Sequence, residues 1–378
     1  MKLELVKIFN PFNGKWSQEY VEIPDDFNLK GLVATHPFVD LHVHVRLNGG
    51  EDYDSLERAA KVGGFHTLLI QPNTKPPIES QEIVFRHLTL IKDREVKFLL
   101  TISPFKDLEP FDKKIMAYST DGIEYDYQKL VETFRGKKRK SLWIDHSQMY
   151  EVDGIFYEGA DIELPKRPLS NEPIAIVRTV LTGLEYGFRK FHIQHVSNPF
   201  SVETISWLRN YADVSCEVTP HHLLLNSENI SNSNFKINPP LVQERERKEL
   251  VKMVKADLID ILASDHAPHF PKPEDFISAP FGTSNIEVAF SAYFTALENL
   301  ELVITKMTSR PLKILGLTHR FSKDNLVFLD PNASFEVDSK KFKSKGKNCA
   351  FDGMKLKGKV VGLKINGKTV MWDGEIIS

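Results

Sequence analysis

Two histidines, His42 and His44, are the first residues along this chain whose type and spacing could do chemistry. They lie in the apolar run Val39-Asp-Leu-His-Val-His-Val45. Side chains two apart on a β-strand share one face, and two imidazoles on a face can hold a divalent metal. A lone His-x-His also reads as two half-buried strand histidines. The chain, however, repeats the signal. His146 ends the run Ser141-Leu-Trp-Ile-Asp145, His195 follows Lys190-Phe-His-Ile-Gln194, and Asp265 follows Leu258-Ile-Asp-Ile-Leu-Ala263. Four imidazoles and a carboxylate at the ends of four apolar runs make a donor set that could bind metal and activate water.

That chemistry requires the run ends to converge. Between residues 37 and about 320, apolar runs alternate with amphipathic segments. The other runs are Phe65–Ile70, Val96–Leu100, Lys114–Tyr118 and Ala212–Val218. Stretches 53–62, 80–92 and 172–186 carry apolar residues at three- and four-residue steps, which predicts helices. Asn171-Glu-Pro173 offers a cap and a first-turn proline for the last of these. Residues 147–170 read as a long loop. Eight runs separated by helical patterns predict a parallel sheet closed as a (β/α)8 TIM barrel over 37–321, with its functional face at the C-terminal strand ends. Residues 1–36 and 322–378 show short β-type alternation with Gly and Asn turns, and are expected to pair as one small β-sandwich.

Composition narrows the function classes. A chain of 378 residues, 41% hydrophobic and 26% charged, accommodates a barrel of roughly 250 residues with a remainder. The net charge of -2 gives no basic field for nucleic acid or an acidic membrane. The run Arg135–Lys140 reads as a solvated turn before a strand. Cys216 and Cys349 are too few and too distant for a disulfide framework, which suggests a reducing, cytoplasmic setting. The charged N-terminus does not read as a signal peptide, and no stretch is long and apolar enough to be expected to span a membrane. A soluble protein is expected.

Longer motifs add a resemblance. They include His44-Val-Arg46, Gln71-Pro-Asn-Thr-Lys-Pro76, Ala117-Tyr-Ser-Thr-Asp-Gly122, His192-Ile-Gln-His-Val-Ser197 and Glu217-Val-Thr-Pro-His-His-Leu223. Lys236-Ile-Asn-Pro-Pro-Leu241 and Ala263-Ser-Asp-His-Ala-Pro-His269 complete the series. In this order, the set resembles the dihydroorotases of the amidohydrolase superfamily, in their bacterial and archaeal long type (class I). The resemblance covers residues 37 to about 320. It implies reversible cyclisation of N-carbamoyl-L-aspartate to L-dihydroorotate in pyrimidine biosynthesis, with zinc as cofactor, one or two ions per chain and two favoured. His42 and His44 would hold the more buried ion and His146 and His195 the other. A bridging hydroxide would be the nucleophile, and Asp265 both a ligand and the proton shuttle. Arg46, Asn73 and His269 would take the substrate carboxylate. Asn238 and the backbone around Ala279-Pro280-Phe-Gly282 would face the ring. As plainer readings, Arg46 could form a rim salt bridge and Asn73 a turn.

The bridging ligand departs from the family pattern. The family's Ser-Asp-Asp-Gly turn is Ser119-Thr-Asp-Gly122 here, which leaves Asp121, 25 residues before His146. Relatives in the superfamily use a carbamylated lysine, and Lys113, 33 residues before His146, has that type of spacing. Asp121 is the preferred bridge. Arg46-Leu-Asn-Gly49 and Val242 also differ from the family. His192 reads as a core or supporting residue, and His221 and His222 as pocket lining rather than ligands. His36, His66, His87 and His319 read as structural, and His266 as pointing away from the site. Rival readings are a hydantoinase or allantoinase, and a non-catalytic partner of aspartate transcarbamoylase. A homodimer or a complex with that transcarbamoylase is the expected assembly.

Overall fold

The protein is described by a computed structural model covering every residue except 48, 49, 139, 153, 318, 319 and 378. His319, Arg139 of the basic run and the loop pair Asn48-Gly49 therefore lie outside the described residues.

The chain opens with β1 (Lys2–Asn10), β2 (Lys15–Ile23) and β3 (Val33–Thr35). It continues through β4 (Phe38–Val43), α1 (Tyr53–Val62), β5 (Phe65–Ile70), α2 (Gln81–Leu90), β6 (Lys97–Ile102), β7 (Ile115–Ser119), α3 (Tyr127–Gly136) and β8 (Leu142–Asp145). An excursion carries β9 (Phe156–Tyr157) and β10 (Lys166–Arg167), a short parallel pair. Then come α4 (Asn171–Glu185), β11 (Lys190–Ile193), α5 (Pro199–Leu208), β12 (Asp213–Val218), α6 (Pro220–Leu224), α7 (Glu244–Lys255) and β13 (Ile261–Leu262). Helices α8 (Ala289–Leu297), α9 (Leu300–Met307) and α10 (Ser309–Ile314) lead to β14 (Leu326–Glu336), β15 (Lys355–Ile365), β16 (Lys368–Trp372) and β17 (Glu375–Ile376).

All eight apolar runs form strands of one parallel sheet, ordered β4-β5-β6-β7-β8-β11-β12-β13. A parallel bridge from Val43 to His266, with His44 N–H donating to His266 O at 3.0 Å, joins the last strand's extension to the first. The sheet is thereby a (β/α)8 barrel. Val39, Leu41, Leu69, Leu99, Ala117, Ile144 and Ile261 fill it with one apolar side chain or more from each of six strands. Leu312 and Leu315, in and just after α10, pack on this plug. The opposite face of the sheet buries Leu68, Ile70, Leu100 and Ile193 in the layer shared with the helices. Strands apolar on both faces are what a parallel sheet covered by helices demands.

Four expectations need correction. No helix forms between β6 and β7; residues 103–114 turn through Pro104 and Pro110 instead. The long loop at 147–170 contains β9 and β10. Asn171 is not the cap of α4: the cap position is Ser170, and the Asn171 amide pins the loop through Met149 N and O and Val152 O. Lys137 in the basic run is likewise not solvated. Its ammonium donates to the carbonyls of Lys106 and Leu108, at 2.6 and 3.0 Å.

Strands from both termini share a seven-stranded sheet, β17-β16-β15-β14-β3-β1-β2. Phe27, just beyond edge strand β2, stacks on Trp372 of β16 at 4.4 Å. Contact between opposite ends of the sheet means that it rolls over on itself around Val6, Ile8, Val21, Leu326 and Phe328, as a small β-sandwich. Among the described residues, no helix is long and apolar enough to cross a membrane.

Candidate active site

The C-terminal strand ends enclose a cavity of about 340 Å³ lined by His42, His44, Arg46, Asp121, His146, His195 and Asp265 among others. The donors arrive from the ends of five strands. His42 lies near the end of β4 and His44 one residue past it, where a register irregularity between Asp40 and Val43 re-aims the side chains. Asp121 stands in the turn after β7, His146 directly follows β8, and His195 and Asp265 follow β11 and β13. His195 and Asp265 have φ of 30° and 47°, in the left-handed region that non-glycine residues rarely occupy. Such positions concentrate where a side chain must be aimed at a site.

Distances group the donors. His42 Nε2 lies 2.8 Å from Asp121 Oδ2 and 3.4 Å from Asp265 Oδ1. His44 Nε2 lies 3.2 Å from Asp265 Oδ1 and 3.9 Å from Asp121 Oδ2. Atoms bound to one ion at about 2.0–2.2 Å sit roughly 3 to 3.5 Å apart. The His195 ring is 5.2 Å from that of His42 and 4.7 Å from that of His146, centre to centre. His195 Nδ1 is buried without a hydrogen-bond partner, and His42 Nε2 and Asp121 Oδ2, also buried, have only each other, at 2.8 Å. Orphaned polar atoms are costly in a protein interior, and a divalent ion would satisfy them. These residues fit a metal ion, and one donor atom from each of His42, His44 and Asp265 lies within 4.8 Å of the others.

The electrostatics agree. Burial opposes a charged His42, but Asp265, Glu217 and Asp121 outweigh it and raise its pKa well above the usual imidazole range. Burial would raise the Asp121 carboxyl, yet His44 and His42 hold it well below the carboxylate range. Three carboxylates converging on one imidazole are a field that favours a cation. Burial, aided by neighbouring imidazoles, lowers the pKa of His195 far below normal and that of His146 less so. Both are then neutral, the form that ligates metal.

The expected substrate residues divide. The half-buried Arg46 faces the cavity, and no carboxylate among the described residues pairs with it. Asn73 is a hub: Oδ1 accepts from His44 Nδ1 at 2.8 Å and Arg46 Nη1 at 3.2 Å, and Nδ2 donates to Asp121 Oδ1 at 2.8 Å. Asn238 lines the cavity, donating to His146 Nε2 at 3.2 Å and accepting from Arg167 Nη2 at 2.6 Å. His269 Nε2 donates to Phe281 O at 2.8 Å and lies outside the lining. Burial, then the charge of Arg46, pushes its pKa down to about 3, so it is neutral. Pro280 is also outside the lining, while its neighbours Phe281 and Gly282 are inside. Lys113 is exposed just before β7, at the far end of that strand from Asp121. His222 is tied to Thr219 Oγ1 and Pro239 O, and neither it nor His221 lines the cavity.

Sequence reasoning gave no role to Glu217, although its motif was noted. It is a buried carboxylate whose Oε1 accepts from His42 Nδ1 at 2.6 Å and whose Oε2 accepts from His192 Nε2 at 2.9 Å. The available signal was an acid near the end of a strand buried on both faces. Gln148 and Tyr150, on the excursion, line the cavity and were missed for want of any periodic pattern.

Gly122 holds the hub in place. Its φ is +67°, and a Cβ there would lie 2.4 Å from Asn73 Nδ2 and 2.5 Å from Asn73 Cβ. Gly122→Ala should therefore cost about 1–2 kcal/mol for the left-handed backbone and displace Asn73. Thermal denaturation should show the loss, with a fall in activity beyond what the lost stability explains.

No family model matches the chain. A Thermotoga maritima protein named "Putative dihydroorotase" is 61% identical over 99% of this chain and 98% of its own length. The dihydroorotase of Caldanaerobacter subterraneus subsp. tengcongensis is 33% identical, covering 90% of this chain and 86% of its own. Among solved structures, the L-hydantoinase of Arthrobacter aurescens superposes with a TM-score of 0.82 at 22% identity, over 99% of this chain and 97% of that one. At that identity the likeness shows the fold alone.

Proposed function

The chain belongs to the dihydroorotase family of cyclic amide hydrolases, and from that premise we propose that it interconverts N-carbamoyl-L-aspartate and L-dihydroorotate, a step of pyrimidine biosynthesis carried out in the cytoplasm. The observation that carries this reading is Arg46. A cation without a carboxylate partner among the described residues faces the cavity, beside His44 and the metal-donor set. Dihydroorotate carries a carboxylate beside its ring amide; a neutral hydantoin does not. A guanidinium receives a carboxylate through two parallel hydrogen bonds.

His42, His44 and Asp265 would hold one zinc ion and His146 and His195 a second, with Asp121 between them. Bound zinc supplies a Lewis acid for the amide carbonyl and makes water nucleophilic at neutral pH. The chain's own residues do the rest. Arg46 fixes the carboxylate, and with it the ring, over the donor set. Asn73 keeps Arg46, His44 and Asp121 in register. Asn238, held by Arg167, ties His146 to Gln148 at the cavity wall through its amide nitrogen. In ring opening, water oxygen bonds to the carbonyl carbon as the carbon–nitrogen bond breaks. Asp265 takes the proton from the water and delivers it to the leaving nitrogen. Ring closure reverses each transfer.

Zinc-loaded protein should turn over dihydroorotate and N-carbamoyl-aspartate while leaving a hydantoin without a carboxylate almost untouched. Equal rates on both would favour a hydantoinase. Zinc counting tests the bridge: Asp121→Ala should lose about one ion per chain, and Lys113→Ala should keep the wild-type count. Loss confined to the lysine variant would overturn the assignment.

A further inference from the structure

Glu217 and His192 lie in two of the sequence motifs, take no part in the reaction above, and meet. Glu217, near the end of β12, is fully buried, as are His42 and His192. Its two oxygens face different partners. Oε1 accepts from His42 Nδ1 at 2.6 Å and from the backbone N–H of His195 at 3.3 Å. Oε2 accepts from His192 Nε2 at 2.9 Å, and the other nitrogen of that ring lies 2.9 Å from Ser215 Oγ. A buried carboxylate persists only when paired and hydrogen-bonded, and this one is satisfied on both sides.

From this geometry we infer that Ser215, His192 and Glu217 form a positioning relay that sets the metal affinity of His42; the inference rests on the reading of His42 as a metal ligand. A histidine has two nitrogens, and the hydrogen bond made by one decides which is free to ligate. With Nδ1–H held by Glu217, the lone pair of His42 lies on Nε2, the atom 2.8 Å from Asp121 and 3.4 Å from Asp265. The anionic partner also makes the imidazole a stronger donor. His192 prevents Glu217 from turning away: its ring, anchored by Ser215, holds the second oxygen, so the first stays on His42. Through the His195 N–H, the same carboxylate steadies the left-handed backbone that aims His195. One side chain thus supports histidines on both sides of the centre. None of the three relay residues lines the cavity, so they act only through the residues they hold.

The test measures zinc affinity by chelator competition on the full chain, with the thermal midpoint of the metal-free protein and the ring tautomer of His42 by ¹⁵N-histidine NMR. Glu217→Gln keeps the shape and leaves every hydrogen bond satisfiable, since His192 can take its other tautomer and donate to Ser215. It should bind zinc about tenfold more weakly with little change in the metal-free midpoint. Glu217→Ala should approach a hundredfold loss, and His42 should then show mixed tautomers. Should Glu217→Ala fail to fold, Glu217→Gln decides alone. Zinc affinity within twofold of wild type in Glu217→Gln would overturn the relay. A wild-type protein that binds no zinc would instead overturn the metal-centre reading, and the relay with it.

Discussion

Asp265→Asn should slow ring opening and ring closure by about a thousandfold or more, because positioned proton transfer alone contributes roughly 10²–10⁴-fold. Asparagine suits this position better than alanine. It matches the side chain in size and, like aspartate, tolerates the left-handed backbone at φ 47°. What the variant removes is the anionic oxygen 3.2 Å from His44 Nε2 and 3.4 Å from His42 Nε2. Because Arg46 still holds the substrate, kcat should fall while KM changes little, in both directions of reaction. The zinc content of the same sample separates the two duties of the carboxylate. Full zinc with the rate lost identifies the proton shuttle, whereas loss of an ion shows that ligation dominates. A fall of less than tenfold with zinc in place would remove Asp265 from the mechanism. Wild-type protein with full zinc and no turnover would favour another cyclic amide as substrate or an enzyme that needs a partner subunit.

Arg46→Met should lower kcat/KM for dihydroorotate by about 10²–10³. Two charge-assisted hydrogen bonds to a carboxylate contribute together about 3–4 kcal/mol, and each 1.36 kcal/mol corresponds to about tenfold. Arg46→Lys should recover only part of the loss, since an ammonium cannot make the paired contact. The site leaves little freedom to compensate: Arg46 Nη1 is held by Asn73 Oδ1 at 3.2 Å, and a Cβ on Gly50 would lie 2.6 Å from Arg46 Cβ. Unchanged kcat/KM in Arg46→Met would place the carboxylate elsewhere and favour a neutral ring as substrate.

Legibility of the fold followed burial. All eight barrel strands could be read because a parallel strand covered on both sides must be apolar throughout, so a histidine at its end stands out against the background. His42, His44, His146, His195 and Asp265 were visible for that reason, and the structure gathers them at one mouth. Strands β9 and β10 were not, since two-residue pairs have no periodicity to detect. Asn171 is a reasonable cap by type, but the loop it anchors made a competing claim on its amide. Lys137 shows the limit of a charge-run reading, because its ammonium finds carbonyls that only the tertiary structure brings near. Glu217 lay in plain sight, yet its partner His42 is 175 residues away, a pairing no local pattern encodes.

The bridge between Val43 and His266 has a consequence for how the molecule comes apart. β4 and the extension of the two-residue β13 meet through that bridge, the His44–His266 hydrogen bond and the Asp40 carboxylate, which accepts from the Ser264 N–H at 3.1 Å. His42 and His44 stand on one side of this joint and Asp265 on the other, with His44 and Asp265 separated by 221 positions in the chain. An ion shared by them would therefore be a rivet across this join of the cylinder, closing a very long loop whose opening would otherwise gain entropy. Because only the closed barrel assembles the donors, each tenfold rise in free metal above the dissociation constant adds about 1.4 kcal/mol to folding stability. The supply of metal would then govern how long the folded molecule lasts as well as how fast it works.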